Sequence, residues 1–516
     1  MNPEVETASG RLRGVAQDGV QAYKSIPYGA STAGAARFLP PRKPAPWAGV
    51  RDALDYVAQA PQSRVGFERR SELMNFASPP DLTPQSEDCL SLHVWTSGTA
   101  GKRPVMVWFH GGAFAFGSSN GARLDGADLA RRNDVVVVCV NQRLNLFGHL
   151  DLSEVAGADY AQSGNAGALD MIAALEWVRD NIARFGGDPG SVMIFGESGG
   201  GAKVSVLMAM PSARGLFHKA AIQSGAAVRL RTRDRARALT RHVLRELGLA
   251  PTQWRDLLAL PMERLQAAIP AAEQALGRAP YPLFDRYPFG PVVDGALIPH
   301  HPFDPAAPAC SADIPLLIGD TTEEAATFIA SDDTIWNDSL TEAAMRARVA
   351  AVAGDQTEDV IALYRRLHPA ASPARRLIAT LTDSNFRIRS LTLAAQRIAQ
   401  AGAPTWMYSF AHKSLAFGGR LGAPHAFDVP FTFNTIDTLV PEDRTAASRT
   451  LGAVMSGVWA GFARAGAPDN AAIPHWPAYD VQRRQTLVLD AAPRIVADPG
   501  AETRALWAGI AAAASL

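Results

Sequence analysis

The sequence predicts an α/β protein built on a central, mostly parallel sheet with helices on both faces. Three observations predict it. From Leu90 to Gly196 the runs "LSLHVW", "PVMVWF", "VVVVCV" and "SVMIFG" are apolar at nearly every position instead of alternating, the pattern of strands buried on both faces. Helical stretches, "GADLARR" and "ALDMIAALEWVRDNIARF", lie between them, and in the second Leu169, Ile172, Leu175 and Val178 recur at helical spacing. Strand and helix therefore alternate, as crossover connections in a covered sheet require.

Upstream of that region, "GRLRGVA" and "GVQAYKSIPYG" alternate and are broken by glycine; they predict an N-terminal β-meander or pair of hairpins. The proline-rich "RFLPPRKPAPWAGV" predicts an ordered surface crossing with no regular element. Downstream, "AAIQSG", "IPLLIG" and "TWMYSF" are further strands. Helical stretches dominate after Asp234, so the core sheet carries helical insertions roughly over 230–280 and 325–400, within one domain spanning 1–516.

Fifty basic residues balance fifty acidic ones, which leaves no electrostatic reason to expect nucleic acid or an anionic membrane as partner. The arginine-rich "RLRTRDRARALTRHVLREL" reads as a solvated helix face. Cys89, Cys139 and Cys310 are few and far apart, so neither a disulfide framework nor a zinc pattern is visible. No apolar run is long enough to span a bilayer. "MNPEVETASG" lacks the basic and apolar regions of a signal peptide, so a cytoplasmic location is expected.

The chemistry is concentrated in "VMIFGESGGGAKVSVLMAM", 192–210, where a strand and a helix meet at a glycine-rich corner around Ser198. Gly196-Glu197-Ser198-Gly199-Gly200 fits G-x-S-x-G, in which small neighbours let a strained serine sit between two packed elements while the helix N-terminus faces the site. Gly117-Ser118-Ser119-Asn120-Gly121 fits the same pattern, but no strand directly precedes it and no helix directly follows, so it predicts a loop. A serine hydroxyl needs a base to take its proton, and its transition state needs donors for a developing oxyanion. His110-Gly111-Gly112-Ala113-Phe114 follows a strand and has the H-G-G form of an oxyanion loop. For the acid, Glu324, Glu323 and Asp320 compete in "DIPLLIGDTTEEAATF"; for the base, His425, His412, His368 and His475 remain.

These residues resemble the type-B carboxylesterase family, which includes cholinesterases and bacterial p-nitrobenzyl esterases. The resemblance covers nearly the whole chain: "SIPYGASTAGAARFLPP", "SEDCLSLHVW", "VNQRLNLFGHL", "NIARFGGDPGSVMIFGESGGG", "FGPVVDG" and "GFARAGAPDN" match family blocks in order. It implies an α/β-hydrolase fold and a serine carboxylesterase with Ser198 as nucleophile, Glu324 as acid and His425, in "HAFDVPF", as base. It further implies oxyanion donors at Gly111, Gly112 and Gly199, and a bond from Ser224 to the acid. No metal or cofactor is implied, and the partner is a small-molecule ester. Three departures stand out. Gly199 replaces the family's usual alanine, Ala325 replaces a glycine, and Ala60 replaces the cysteine that would pair with Cys89. The segment 62–88 lacks the tryptophan with which cholinesterases bind choline, so neutral esters are expected. Phe114, Phe116, Tyr287 and Phe289 are candidates for an apolar pocket wall or for core. The competing activities are amide or carbamate hydrolysis on the same residues, or a non-catalytic binding role.

Overall fold

Eleven strands form one twisted sheet in the computed structural model, which describes residues 2–63, 76, 81–275 and 287–514. In chain order they are β1 (Val15–Gln17), β2 (Val20–Pro27), β3 (Ser91–Thr96), β4 (Arg103–Phe109), β5 (Val136–Val140), β6 (Gly187–Glu197), β7 (Lys219–Gln223), β8 (Leu316–Thr321), β9 (Thr405–Phe410), β10 (Gln485–Leu489) and β11 (Arg494–Ala497). Across the sheet they run β11-β10-β9-β8-β7-β6-β4-β5-β3-β2-β1. Every neighbouring pair from β5 to β10 is parallel, while the pairs at both edges are antiparallel. "LSLHVW" is therefore a buried strand, but it joins antiparallel.

The continuous apolar runs are explained by burial on both faces. Along β4, Val105, Val107 and Phe109 enter one apolar cluster while Met106 and Trp108 enter the other. β5 and β6 divide likewise, with Val138 and Ile194 on one side and Cys139 and Phe195 on the other. Helix α1 (Ala166–Asn181) covers one face with Ile172, Leu175 and Val178. Helix α3 (Ala446–Ala465) covers the opposite face with Met455, Trp459 and Phe462. Between them in sequence lies α2 (Gly199–Ala209), whose residues are all buried.

At the N-terminus the meander divides. Glu4–Thr7 and Gly10–Arg13 pair with each other and with Val50–Asp52 in a small separate sheet, whereas β1 and β2 extend the large one. β10 and β11 were not foreseen: "QTLVL" is short and β11 is a partly exposed edge strand, so neither makes a long apolar run. Helices occupy Arg233–Glu246, Met262–Ala267 and Ile269–Ala275, and a second group runs from Ala326 to Gln400. The stretch 276–280 of the first expected insertion lies outside the described residues. Among the described residues no helix is long and apolar enough to cross a membrane.

The topology places the site. After β4 the chain moves to β5 on one side, then crosses to β6 on the other. A parallel sheet opens a crevice beyond the carboxyl ends of the strands at such a reversal. The residues that follow β4 and β6 are the glycine loop at His110 and the corner at Ser198.

Candidate active site

β6 ends at Glu197 and α2 begins at Gly199, leaving Ser198 alone in the corner with φ 57 and ψ −121. Positive φ at a non-glycine residue is strained and persists only where the surroundings enforce it. Here the Ser198 N–H donates to the Gln223 carbonyl at 2.8 Å, and the Ser198 carbonyl accepts from Ala202 N–H at 3.0 Å. From Val192 to Met210 every other residue is buried, while Ser198 keeps partial exposure. The first turn of α2 aims its unpaired N–H groups at this corner.

Facing the corner is the loop after β4. Gly112 has φ +85, and a side chain there would strike the Phe116 carbonyl, so only glycine makes the turn. Gly199 packs directly on the backbone of Ala113, with no room for a β-carbon. Gly111 lies alongside Glu197 and Ser198: a β-carbon on it would be 3.6 Å from the Ser198 Cβ. The N–H groups of Gly111, Gly112 and Ala113 make no hydrogen bond among the described residues. Ala113, at φ 55, is thus a donor position that motif reading passed over.

The carboxylates and histidines sort themselves by contact. Glu324 is fully buried; its Oε2 bonds His425 Nδ1 and its Oε1 accepts from Thr321 N–H at 2.7 Å. Glu323 instead clamps the histidine loop, its Oε2 accepting from Ala423 N–H at 2.8 Å. Asp320 accepts from Ser390 Oγ at 2.8 Å. His425 Nε2 lies 3.1 Å from Oε1 of Glu197, the residue before Ser198. His412 bonds Ser448 Oγ at 3.1 Å, His368 stacks on Tyr364 at a helix end, and His475 is exposed.

A family model described as the carboxylesterase family matches residues 1–507. The chain belongs to that family.

The para-nitrobenzyl esterase of Bacillus subtilis (strain 168) is 35% identical over 505 residues, covering 97% of each chain. The liver carboxylesterase of Sus scrofa is 31% identical over 93% of this chain and 88% of its own length. The crystal structure of Geobacillus stearothermophilus carboxylesterase EST55 at pH 6.2 superposes with a TM-score of 0.83 at 36% identity, covering 98% of this chain and 99% of that one. This carboxylesterase accordingly has the α/β-hydrolase fold and is a carboxylic ester hydrolase.

Around His425 the esterase buries an unusual density of acid. Burial pushes the Glu197 carboxyl up to about 8; His425 pulls it down, while Asp428 and Glu324 push it further up. Asp320 rises to about 7 and Asp428 to about 6, in each case chiefly through burial. Burial would depress the His425 imidazole, yet Glu197 and Glu324 together carry it to about 9. Carboxylates this close cannot all ionise, and one imidazolium relieves the repulsion. Asp428, unremarked in the sequence, accepts from Gln223 Nε2 at 2.8 Å and from Tyr408 OH at 3.1 Å, bracing the histidine loop against the sheet. Phe328 and Phe386 flank the His425 ring, with centroids at 4.9 and 5.0 Å.

One expectation needs correction, and one open alternative closes. The Ser224 hydroxyl does not bond Glu324: it is buried without a partner among the described residues, while the Glu324 oxygens meet Thr321 N–H and His425. Phe289 is core, 1% exposed and packed in the cluster that holds Leu146, Phe147 and Trp254, so no face is left for a substrate. Phe114 is also buried, its ring meeting His149 edge-on. Phe116 and Tyr287 are partly exposed and pair edge to face at 5.4 Å. Among the described residues no group of three His, Cys, Asp or Glu could hold a metal ion.

Proposed function

We propose that this carboxylesterase hydrolyses neutral carboxylic esters in two steps through an acyl-enzyme on Ser198. One observation carries the reading: a strained, partly exposed serine lies next to Glu197, which a buried histidine faces through Nε2 while Glu324 holds its Nδ1. Glu324 accepts a hydrogen bond from Nδ1–H and so keeps the lone pair of the neutral ring on Nε2. Nε2 takes the Ser198 proton as Oγ bonds to the carbonyl carbon, and the carbonyl electron pair moves onto its oxygen. Donors among the N–H groups of Gly111, Gly112, Ala113 and Gly199 receive that oxyanion. The carbon–alkoxide bond then breaks, and His425 gives its proton to the departing alcohol. Water passes a proton to Nε2, attacks the acyl carbon, and Ser198 leaves with the proton restored.

The test is Ser198→Ala assayed on a panel of p-nitrophenyl esters of increasing acyl length, with a matching amide and carbamate. Turnover of the preferred ester should fall about a million-fold, the scale of triad nucleophiles. A loss under tenfold in purified, folded protein overturns the assignment. Faster turnover of the amide or carbamate overturns the ester preference.

A further inference from the structure

Lys203 is fully buried on α2, five positions after Ser198, and among the described residues it makes no ion pair with a carboxylate. Its Nζ donates to the His110 carbonyl at 2.7 Å and lies 5.8 Å from the centre of the Phe114 ring. Burial pushes the amine well below lysine's ordinary range. Neither the triad chemistry nor the motifs use this side chain. A methionine would fill similar space without burying a polar head, so packing alone gives no account of a lysine here.

Its partner carbonyl gives one. Three successive peptide units make up the glycine loop. The His110 carbonyl is held by Lys203; the Gly111 carbonyl is held by His110 Nδ1 at 2.7 Å; the Gly112 carbonyl is held by Ala115 N–H at 3.2 Å and Phe116 N–H at 3.1 Å. In each unit the N–H belongs to the next residue and points away from the carbonyl, because the peptide is planar and trans. Those N–H groups are Gly111, Gly112 and Ala113, the three left without partners among the described residues. So every carbonyl of the loop is tied back and every N–H is turned free. His110 is itself fixed in register by Gln142 Nε2, 2.8 Å from its Nε2, which leaves Nδ1 as the donor. Of the three ties, only the one from Lys203 comes from a distant part of the chain, and that part is the helix carrying the nucleophile.

We propose that Lys203 is a positioning residue that straps the oxyanion loop to the nucleophile helix, setting the planes of the loop amides and their distance from Ser198. It touches no substrate; it acts through the His110 carbonyl. A bond that fixes the carbonyl end of an amide also polarises its N–H end. The strap therefore serves the transition state, where the oxyanion is fully charged, more than the bound ester. The inference rests on the acyl-enzyme reading of Ser198, which the unaltered enzyme checks first by stoichiometric titration with a p-nitrophenyl phosphonate.

The experiment uses Lys203→Met and Lys203→Gln in the full chain, the glutamine side chain being one bond too short to reach His110. Rates are expressed per titrated site, so misfolded molecules do not count. Removing an oxyanion donor costs ~10²–10³ in turnover, and loosening its support costs less. We expect kcat to fall about tenfold to a hundredfold in both variants while KM stays within about threefold. Inhibition by a trifluoromethyl ketone, which forms a tetrahedral adduct, should weaken by the same factor as kcat. Inhibition by the carboxylic acid product should hold, and Lys203→Met should melt no lower than the parent. A kcat within twofold of the parent in either variant overturns the proposal. So does equal weakening of both inhibitors, or a failure of both variants to give titratable sites, which would place Lys203 in folding. If the unaltered enzyme does not titrate, the acyl-enzyme reading itself fails.

Discussion

Gly199→Ala puts back the residue the family usually carries after the nucleophile, and resemblance alone would expect it to be harmless. The structure expects otherwise. A β-carbon on residue 199 would overlap the N, Cα and O atoms of Ala113 at once, each by more than ~1 Å relative to a normal contact of ~3.5 Å. The obstruction is backbone, so no side-chain rotation relieves it. Ala113 already sits at φ 55, and its N–H is one of the free donors. The loop from Gly111 to Ala113 must retreat by about 1 Å, and a misplacement of that size can cost ~10²-fold in rate. Overpacking costs about 1–3 kcal/mol, and the helix preference for alanine over glycine returns at most ~1 kcal/mol. We therefore expect kcat for p-nitrophenyl butyrate, per titrated site, to fall about a hundredfold, KM to change less than about threefold, and the chain to lose about 1–2 kcal/mol in urea denaturation. A variant with kcat within threefold of the parent and unchanged stability would refute the close approach of Gly199 and Ala113 as a constraint on the loop.

Glu197→Gln should move the acidic limb of the kcat/KM profile to lower pH. As the proposed base, His425 works only when unprotonated, so activity should rise with pH through its raised value; Glu197 is one of the groups that raise it, and removing that charge lets the proton leave earlier. The expected displacement is about one pH unit, within the range for an adjacent charge, and no movement or an upward one contradicts the pairing. Arg143→Met should destabilise the chain by about 3–5 kcal/mol, because it strands Asp170, fully buried and bonded to Arg143 Nε at 2.8 Å and Nη2 at 2.6 Å; urea titration measures it. Ser119→Ala, in the second G-x-S-x-G match, should leave kcat unchanged and cost about 1 kcal/mol, since its hydroxyl only donates to the Val140 carbonyl at 2.8 Å.

Much of the fold was legible because local pattern reports burial. "PVMVWF" and "VVVVCV" are apolar at every step because alternate residues of β4 and β5 enter clusters on opposite faces. Glycines crowd Ser198 because its corner leaves no room for side chains, and that crowding shows without coordinates. Elements that depend on their neighbours were harder to see: β10 and β11 are short edge-side strands, β10 formed where β9 is there to pair with it and β11 where β10 is. Phe289 reads equally as pocket wall or core until its surroundings are known.

By itself the sequence showed most of the sheet, from apolar runs spread along the chain, and the glycine-rich corner with Ser198 as its candidate nucleophile, written within about twenty consecutive residues. Local residues could narrow the acid to Glu324 or its neighbours and the base to a few histidines; resemblance to a family chose between them. Tertiary structure alone decided that Glu323 clamps the histidine loop while Glu324 meets His425, that Ser224 leaves Glu324 alone, and that Lys203 reaches the His110 carbonyl. The physical reason is range. Backbone conformation and burial period are set by neighbours along the chain, whereas a bond spanning 101 residues from His425 to Glu324, or 93 from Lys203 to His110, exists only once the strand order has brought its two ends together.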